Sequence, residues 1–232
     1  RQVAAFVAKV LANLQPGKCP TYKGTILLSP NAASDILTDF VIFHASGRSV
    51  MDHKSRWEKS VNSRVISSKF SLSDQPHRKD MIGTTSYDRD GLPTRDLRII
   101  DDGKLNVHLA DCYVAKRLKS SSTASAGGPF NLAVHPGDAS LDQMLRLRKD
   151  ILYVDRFSGN IDEISGTCSG VAKTSKLFTD GESRGAVGET MIAGNFFDLA
   201  DQIVAVGRYT HIVYGRFCCP VIALDGVSVS GQ

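Results

Sequence analysis

The chain has 232 residues, 42% hydrophobic and 22% charged, long enough to bury a core and ordinary for a globular domain. Its 28 basic and 24 acidic residues leave a net charge of +4 with no concentrated basic run, which argues against a nucleic-acid-binding stripe. No apolar run reaches the ~20 residues of a membrane span, and five cysteines without a C-x-x-C pair do not make a disulfide framework.

Val3, Phe6, Val7, Val10, Leu11 and Leu14 recur at helical spacing and predict an amphipathic helix that stops before Pro16-Gly17. Residues 25–28 predict a short strand. Asn31 or Ser34 can then cap a helix whose run Ile36, Leu37, Phe40, Val41 and Phe43 is apolar on nearly every side. Such a helix belongs in the centre of the domain, and Gly47 is expected to end it. After Trp57, an alternating segment leads through Phe70 and Leu72 into a polar loop at 73–79.

The next stretch reads as a β-hairpin. Leu97, Ile99 and Ile100 precede the turn Asp101-Asp102-Gly103, after which Leu105, Val107 and Leu109 alternate with Lys104, Asn106 and His108. Asp-Gly suits a type I′ turn because both central residues need φ > 0. On this reading His108 points to solvent. From Asp111 the period changes, and Tyr113, Val114 and Leu118 predict a short helix with Lys116 and Arg117 on its wet side. The low-complexity run 120–128 predicts a mobile loop. A strand at 130–134 and a helix capped by Ser140 follow.

From Ile151 onward, short apolar runs are punctuated by Gly at intervals of roughly ten residues, the pattern of a sandwich or barrel. Residues 199–206 predict a short helix leading to a strand, and 220–229 a final hairpin around Asp225-Gly226. The sum is an α+β fold: early helices packed on a curved, largely antiparallel sheet or barrel-like C-terminal region. One domain is expected over 1–232, helix-rich to about residue 72 and β-rich thereafter.

Several motifs in this order resemble the TldD/PmbA family, the so-called modulators of DNA gyrase. They are Ser55-Arg56-Trp57, Gly91-Leu92-Pro93-Thr94-Arg95, the run Asp111-Cys112-Tyr113-Val114-Ala115-Lys116-Arg117, and Asn131-Leu132 with Pro136-Gly137-Asp138. Leu152-Tyr153-Val154 and the segments 190–196, 203–207 and 224–231 complete the set. The resemblance covers the C-terminal half of a typical member. Because Arg1 is not a natural start, a missing N-terminal half is expected.

In the catalytic branch of that family, the helix after the first strand carries His-Glu-x-x-x-His, and a late cysteine completes a zinc site. Two imidazoles on consecutive turns can converge on one ion while the glutamate deprotonates its water. Here the motif falls on residues 38–43. Thr38 and Phe43 stand where imidazoles are needed, and Asp39 occupies the glutamate position. His44, one residue on, supplies at most one ligand. Cys218 and Cys219 fall near the expected loop, but a vicinal pair is a poor chelate without imidazole partners.

No catalytic, metal-binding or cofactor-binding residue is therefore assigned. Thr38, Asp39 and Phe43 are degenerate motif positions, and His44, Cys218 and Cys219 are the remaining donors. His44, on an apolar helix, reads as a hydrogen-bonded core histidine. His53, His77, His108, His135 and His211 show no metal-ligand spacing. Ser169 sits in a Gly-rich turn without an assigned base, and 181–188 lacks the P-loop lysine.

The resemblance thus implies a non-catalytic subunit of the PmbA/TldE type. It would belong to a heteromeric TldD/TldE-type zinc metallopeptidase that processes or degrades unfolded peptides, including peptide-antibiotic precursors. Zinc is expected in the TldD-like partner and no cofactor in this chain. The cytoplasm is the expected compartment, with no nucleic-acid or membrane partner. Two alternatives stay open here. One is an active peptidase using Asp39, His44 and a late cysteine unconventionally; the other is a stand-alone homodimeric peptide-binding protein.

Overall fold

The computed structural model describes every residue except 1, 2, 4–6, 8, 9, 12, 189 and 232. Of the predicted first helix, Val3, Val7, Val10 and Leu11 are helical and exposed, whereas Phe6 lies outside the described residues. Strand β1 (Tyr22–Leu28) leads into helix α1 (Pro30–Ala45). Ser29 caps α1, accepting the N–H groups of Asn31 and Ala32 at 3.1 Å, while Pro30 fills a first-turn position that needs no donor. The expected caps Asn31 and Ser34 lie inside the helix instead. Ile36, Leu37, Phe40 and Val41 are buried as expected, but Phe43 is only half-buried, because one side of the helix faces away from the core.

Ser46 breaks the helix and caps α2 (Gly47–Met51). Gly47 is therefore a start rather than an end, and a side chain there would run into the Leu109 carbonyl and Val114.

The strands that follow are β2 (Leu72–Asp74), β3 (Leu97–Asp101), β4 (Lys104–Leu105), β5 (Leu132–Val134) and β6 (Asp150–Val154). The β-rich remainder adds β7 (Arg156–Ile161), β8 (Thr167–Lys173), β9 (Ser175–Thr179), β10 (Glu182–Val187) and β11 (Met191–Asn195). The last two are β12 (Ile203–Val213) and β13 (Phe217–Ser230). Helices α3 (Cys112–Leu118), α4 (Leu141–Leu145) and α5 (Phe196–Ala200) are short. Asp111 caps α3, and Ser140 with Gln143 forms a capping box on α4.

The 13 strands among the described residues join one sheet, ordered β10-β9-β6-β1-β13-β5-β2-β3-β4, with β12, β11, β8 and β7 branching from β13. Pairing is antiparallel except at β1·β6 and β13·β5. The sheet is open: β10 and β4 end the path without meeting, so the barrel-like alternative does not hold. One main core cluster joins α1 to β1 and β13 through Ile26, Phe40, Trp57, Ile222 and Leu224. No helix among the described residues is long and apolar enough to cross a membrane.

Several expectations are corrected. The final hairpin is absent, since β13 runs unbroken through Asp225-Gly226, with Gly226 at φ +76 opposite a register shift in β1. Run 120–128 is packed: Thr123, Ala124, Ser125 and Ala126 are buried, and Asp88 accepts the Ala126 N–H at 3.1 Å. The polar loop at 73–79 begins inside β2, where the buried Asp74 carboxylate accepts the Phe130 and Asn131 N–H groups. Ser169 lies on β8, not in a turn. His108 lies with Nε2 3.0 Å from the Trp57 carbonyl instead of facing water, because the chain leaves the sheet after Leu105.

Candidate functional site

Helix α1 turns Ser34, Asp35, Thr38 and Asp39 outward on one stripe, since residues three and four apart are neighbours on a helix. They face Phe157, Ser158, Gly159 and Ile161 of β7 together with Glu163, and Tyr214 of the β12–β13 turn lies at the same groove. The volume of this open groove is about 530 Å³.

Asp35 is fixed in place. Arg156 Nε donates to its carboxylate at 2.8 Å, the Phe157 N–H at 3.1 Å and the Tyr214 hydroxyl at 3.4 Å. This carboxylate holds the Arg156 guanidinium above its ordinary pKa, and desolvation followed by Asp35 raises that of Tyr214. The Thr38 hydroxyl is buried without a hydrogen-bond partner. Asp39 is exposed.

The structure separates the motif residues. Thr38 and Asp39 line the groove, whereas Phe43 and His44 pack edge to face 5.1 Å apart beside it. His44 is 0% exposed and stacked among Phe40, Trp57 and Phe197. The Arg56 N–H donates to Nδ1 at 3.2 Å, so the proton sits on Nε2 and is donated to the Glu163 carbonyl at 2.8 Å. Burial pulls the His44 pKa below its ordinary value, keeping the ring neutral. Both ring nitrogens are engaged, leaving none for a metal.

The two cysteines point to opposite faces of β13, as consecutive strand residues must. Cys219 joins the main core, and Cys218 packs apart from it with Met81 and Ala133. The Cys219 thiol donates to the Pro220 carbonyl at 3.2 Å, and burial pushes its pKa well above the ordinary thiol value. Neither cysteine lines the groove.

A zinc ion needs deprotonated or lone-pair donors converging within about 2.3 Å. A threonine hydroxyl, a phenyl ring, a histidine with both nitrogens spent and a core thiol do not fit it. Among the described residues, no group of three or more His, Cys, Asp or Glu is placed to hold a metal. The other histidines are scattered: His135 meets Ser73 at 2.8 Å, His77 meets Thr94 at 3.0 Å and His53 meets Glu58 at 3.2 Å.

Sequence reasoning missed Asp35, Arg156, Glu163 and Tyr214. No motif marks them. Arg156 and Tyr214 reach Asp35 across 121 and 179 residues, and only the fold brings them together.

The model of the PmbA/TldA metallopeptidase C-terminal domain matches residues 21–231. A protein named metalloprotease PmbA homolog, from Haemophilus influenzae, is 29% identical over 230 residues, covering 97% of this chain and 49% of that protein. Metalloprotease PmbA from a strain of Escherichia coli is 28% identical over 225 residues, with the same 97% and 49% coverage. The crystal structure of TldE from Thermococcus kodakarensis has a TM-score of 0.87 at 22% identity, covering 99% of this chain and 55% of that one. That last likeness is one of fold. The chain spans about half the length of the curated relatives it matches.

Proposed function

The chain belongs to the PmbA/TldA metallopeptidase C-terminal domain family, and we propose that it is the metal-free, non-catalytic member of a TldD/TldE-type zinc metallopeptidase acting on unfolded peptides. The observation that carries this reading is the donor set on α1 and β13. Thr38 and Phe43 offer no imidazole, His44 has both nitrogens committed, and the two cysteines face apart. With no site for a metal-activated water among the described residues, Asp39 has no proton to take in the manner of the family's glutamate.

On this reading zinc chemistry belongs to a TldD-like partner, which activates the attacking water. This chain supplies framework, contact surface and a groove of the right size for a short extended segment. Maturation or disposal of unfolded peptides follows as the role of the pair. Five free cysteines, four of them buried, suit the reducing cytoplasm.

The test is co-expression with a relative that carries His-Glu-x-x-x-His, followed by metal analysis and hydrolysis of an unfolded peptide. The chain alone is expected to hold no stoichiometric zinc after dialysis and to hydrolyse nothing at any metal supplement. The pair is expected to hydrolyse, and to stop when the partner's motif histidines are replaced. One tightly held zinc in the isolated chain, or hydrolysis by it alone, would restore the unconventional-peptidase reading. A homodimer that ignores the relative would overturn the heteromeric one.

A further inference from the structure

We infer that the groove between α1 and β7 binds an extended peptide as an added strand on β7, with a basic side chain of that peptide held between Asp39 and Glu163. This rests on the reading of the chain as a peptidase subunit and gives the metal-free subunit a peptide-binding role of its own.

The strand edge is the first observation. The Phe157 N–H leaves the sheet to reach Asp35 at 3.1 Å. Its cross-strand neighbour Ala172 points the other way, donating to the Thr190 carbonyl at 2.9 Å. Phe157 and Ala172 are therefore a non-hydrogen-bonded antiparallel pair, and the pattern alternates along the strands. Gly159 and Ile161, two and four residues on, likewise turn their N–H and C=O groups away from β8 and toward the groove. Among the described residues, no strand pairs with β7 on that side. A free edge of this kind is a template for main-chain pairing.

Charge selects the occupant. Asp35 is spent on Arg156, but Asp39 and Glu163 line the same groove and make no ion pair among the described residues. Two uncompensated carboxylates beside a main-chain edge favour an extended segment with a lysine or arginine, and disfavour acidic segments and nucleic acid. The volume of about 530 Å³ falls within the range of ligand pockets.

The experiment is fluorescence anisotropy of the zinc-free 232-residue chain with a labelled, unstructured heptapeptide carrying one central lysine. Saturable binding is expected. N-methylation at alternate peptide positions should weaken it roughly tenfold or more, while methylation at the intervening positions changes little, because only every second N–H faces the partner strand. Replacing the lysine by glutamate, or making the double substitution Asp39→Asn, Glu163→Gln, should cost a similar factor. The same double variant should bind a lysine-free control peptide as the unaltered chain does. No saturable binding, equal affinity for all N-methyl analogues, or indifference to the double substitution would each overturn the inference. A chain that forms an active pair with its relative yet binds no peptide alone overturns this inference and leaves the partner reading intact. Strand-parity binding by a chain that also holds zinc overturns only the partner reading.

Discussion

His44 sits where a metal ligand could have been, and its surroundings decide that it is not one. Arg56 donates to Nδ1, Glu163 accepts from Nε2–H, and four aromatic rings enclose the ring. Protonation would put a charge in this enclosure and turn Nδ1 into a second donor facing the Arg56 N–H. Burial accordingly lowers the pKa, with Arg56 adding to the effect and Glu163 opposing it. The unfolded chain therefore binds the proton first as pH falls. Stability is full above about pH 6.5, the ordinary histidine value, and is lost as pH drops toward the lower folded value. Burial shifts His108 and His135 in the same direction. The urea midpoint should fall on acidification from about pH 7 to 5. His44→Phe should cost about 1–3 kcal/mol at pH 7, by orphaning the Arg56 N–H and the Glu163 carbonyl, and should flatten that pH dependence. An equally steep profile in the variant would assign the effect to the other histidines. The core role of His44 was legible from the apolar run of its helix. Its tautomer was not, because the Glu163 carbonyl that fixes it lies 119 residues away.

At the scale of elements, two Asp-Gly pairs carry the same local signal and fold differently. Asp102 (φ +45) and Gly103 (φ +77) make the tight turn between β3 and β4. Asp225-Gly226 instead bends a continuous strand. The local sequence specifies φ > 0 but not which strands will pair. The two halves of 220–229 do not fold on each other, because β12 and β1 and then β11 supply their partners, and the glycine becomes a bulge. The two-residue β4 has a similar cause: the Leu109 N–H goes to the Ala45 carbonyl, drawing the chain toward the end of α1. Glycines at the same φ test how far packing adds to strain. Gly91 (φ +77) has open space where a Cβ would go, so Gly91→Ala should cost only the left-handed penalty, about 1 kcal/mol. Gly103 (φ +77) is pressed against the Ile66 and Ser67 carbonyls, so Gly103→Val should cost about 3 kcal/mol or more. Equal losses in denaturation midpoint would remove the packing term.

At the scale of the whole molecule, the groove and the core depend on one strand. β13 pairs with β1, β5, β11 and β12, and the main cluster runs from its Ile222 and Leu224 through Phe40 of α1 to Trp57. The helix-rich opening is therefore packed on the late sheet, and a boundary near residue 72 would cut through this cluster. The site is assembled the same way: Thr38 and Asp39 were readable from the motif, but β7, Glu163 and Tyr214 arrive only when the sheet forms. Trp57, the single tryptophan, is 4% exposed and lies 6.2 Å from the Phe40 ring, so its fluorescence reports the helical half of this contact. Backbone amide NMR peaks of β8, β9 and β12 report the β-rich remainder. If the core is one cooperative unit, the two signals should follow a single urea transition with the same midpoint and slope. A tryptophan transition at lower urea than the sheet's would mean that the first 72 or so residues open independently, and that the groove on α1 can be lost while the sheet stands.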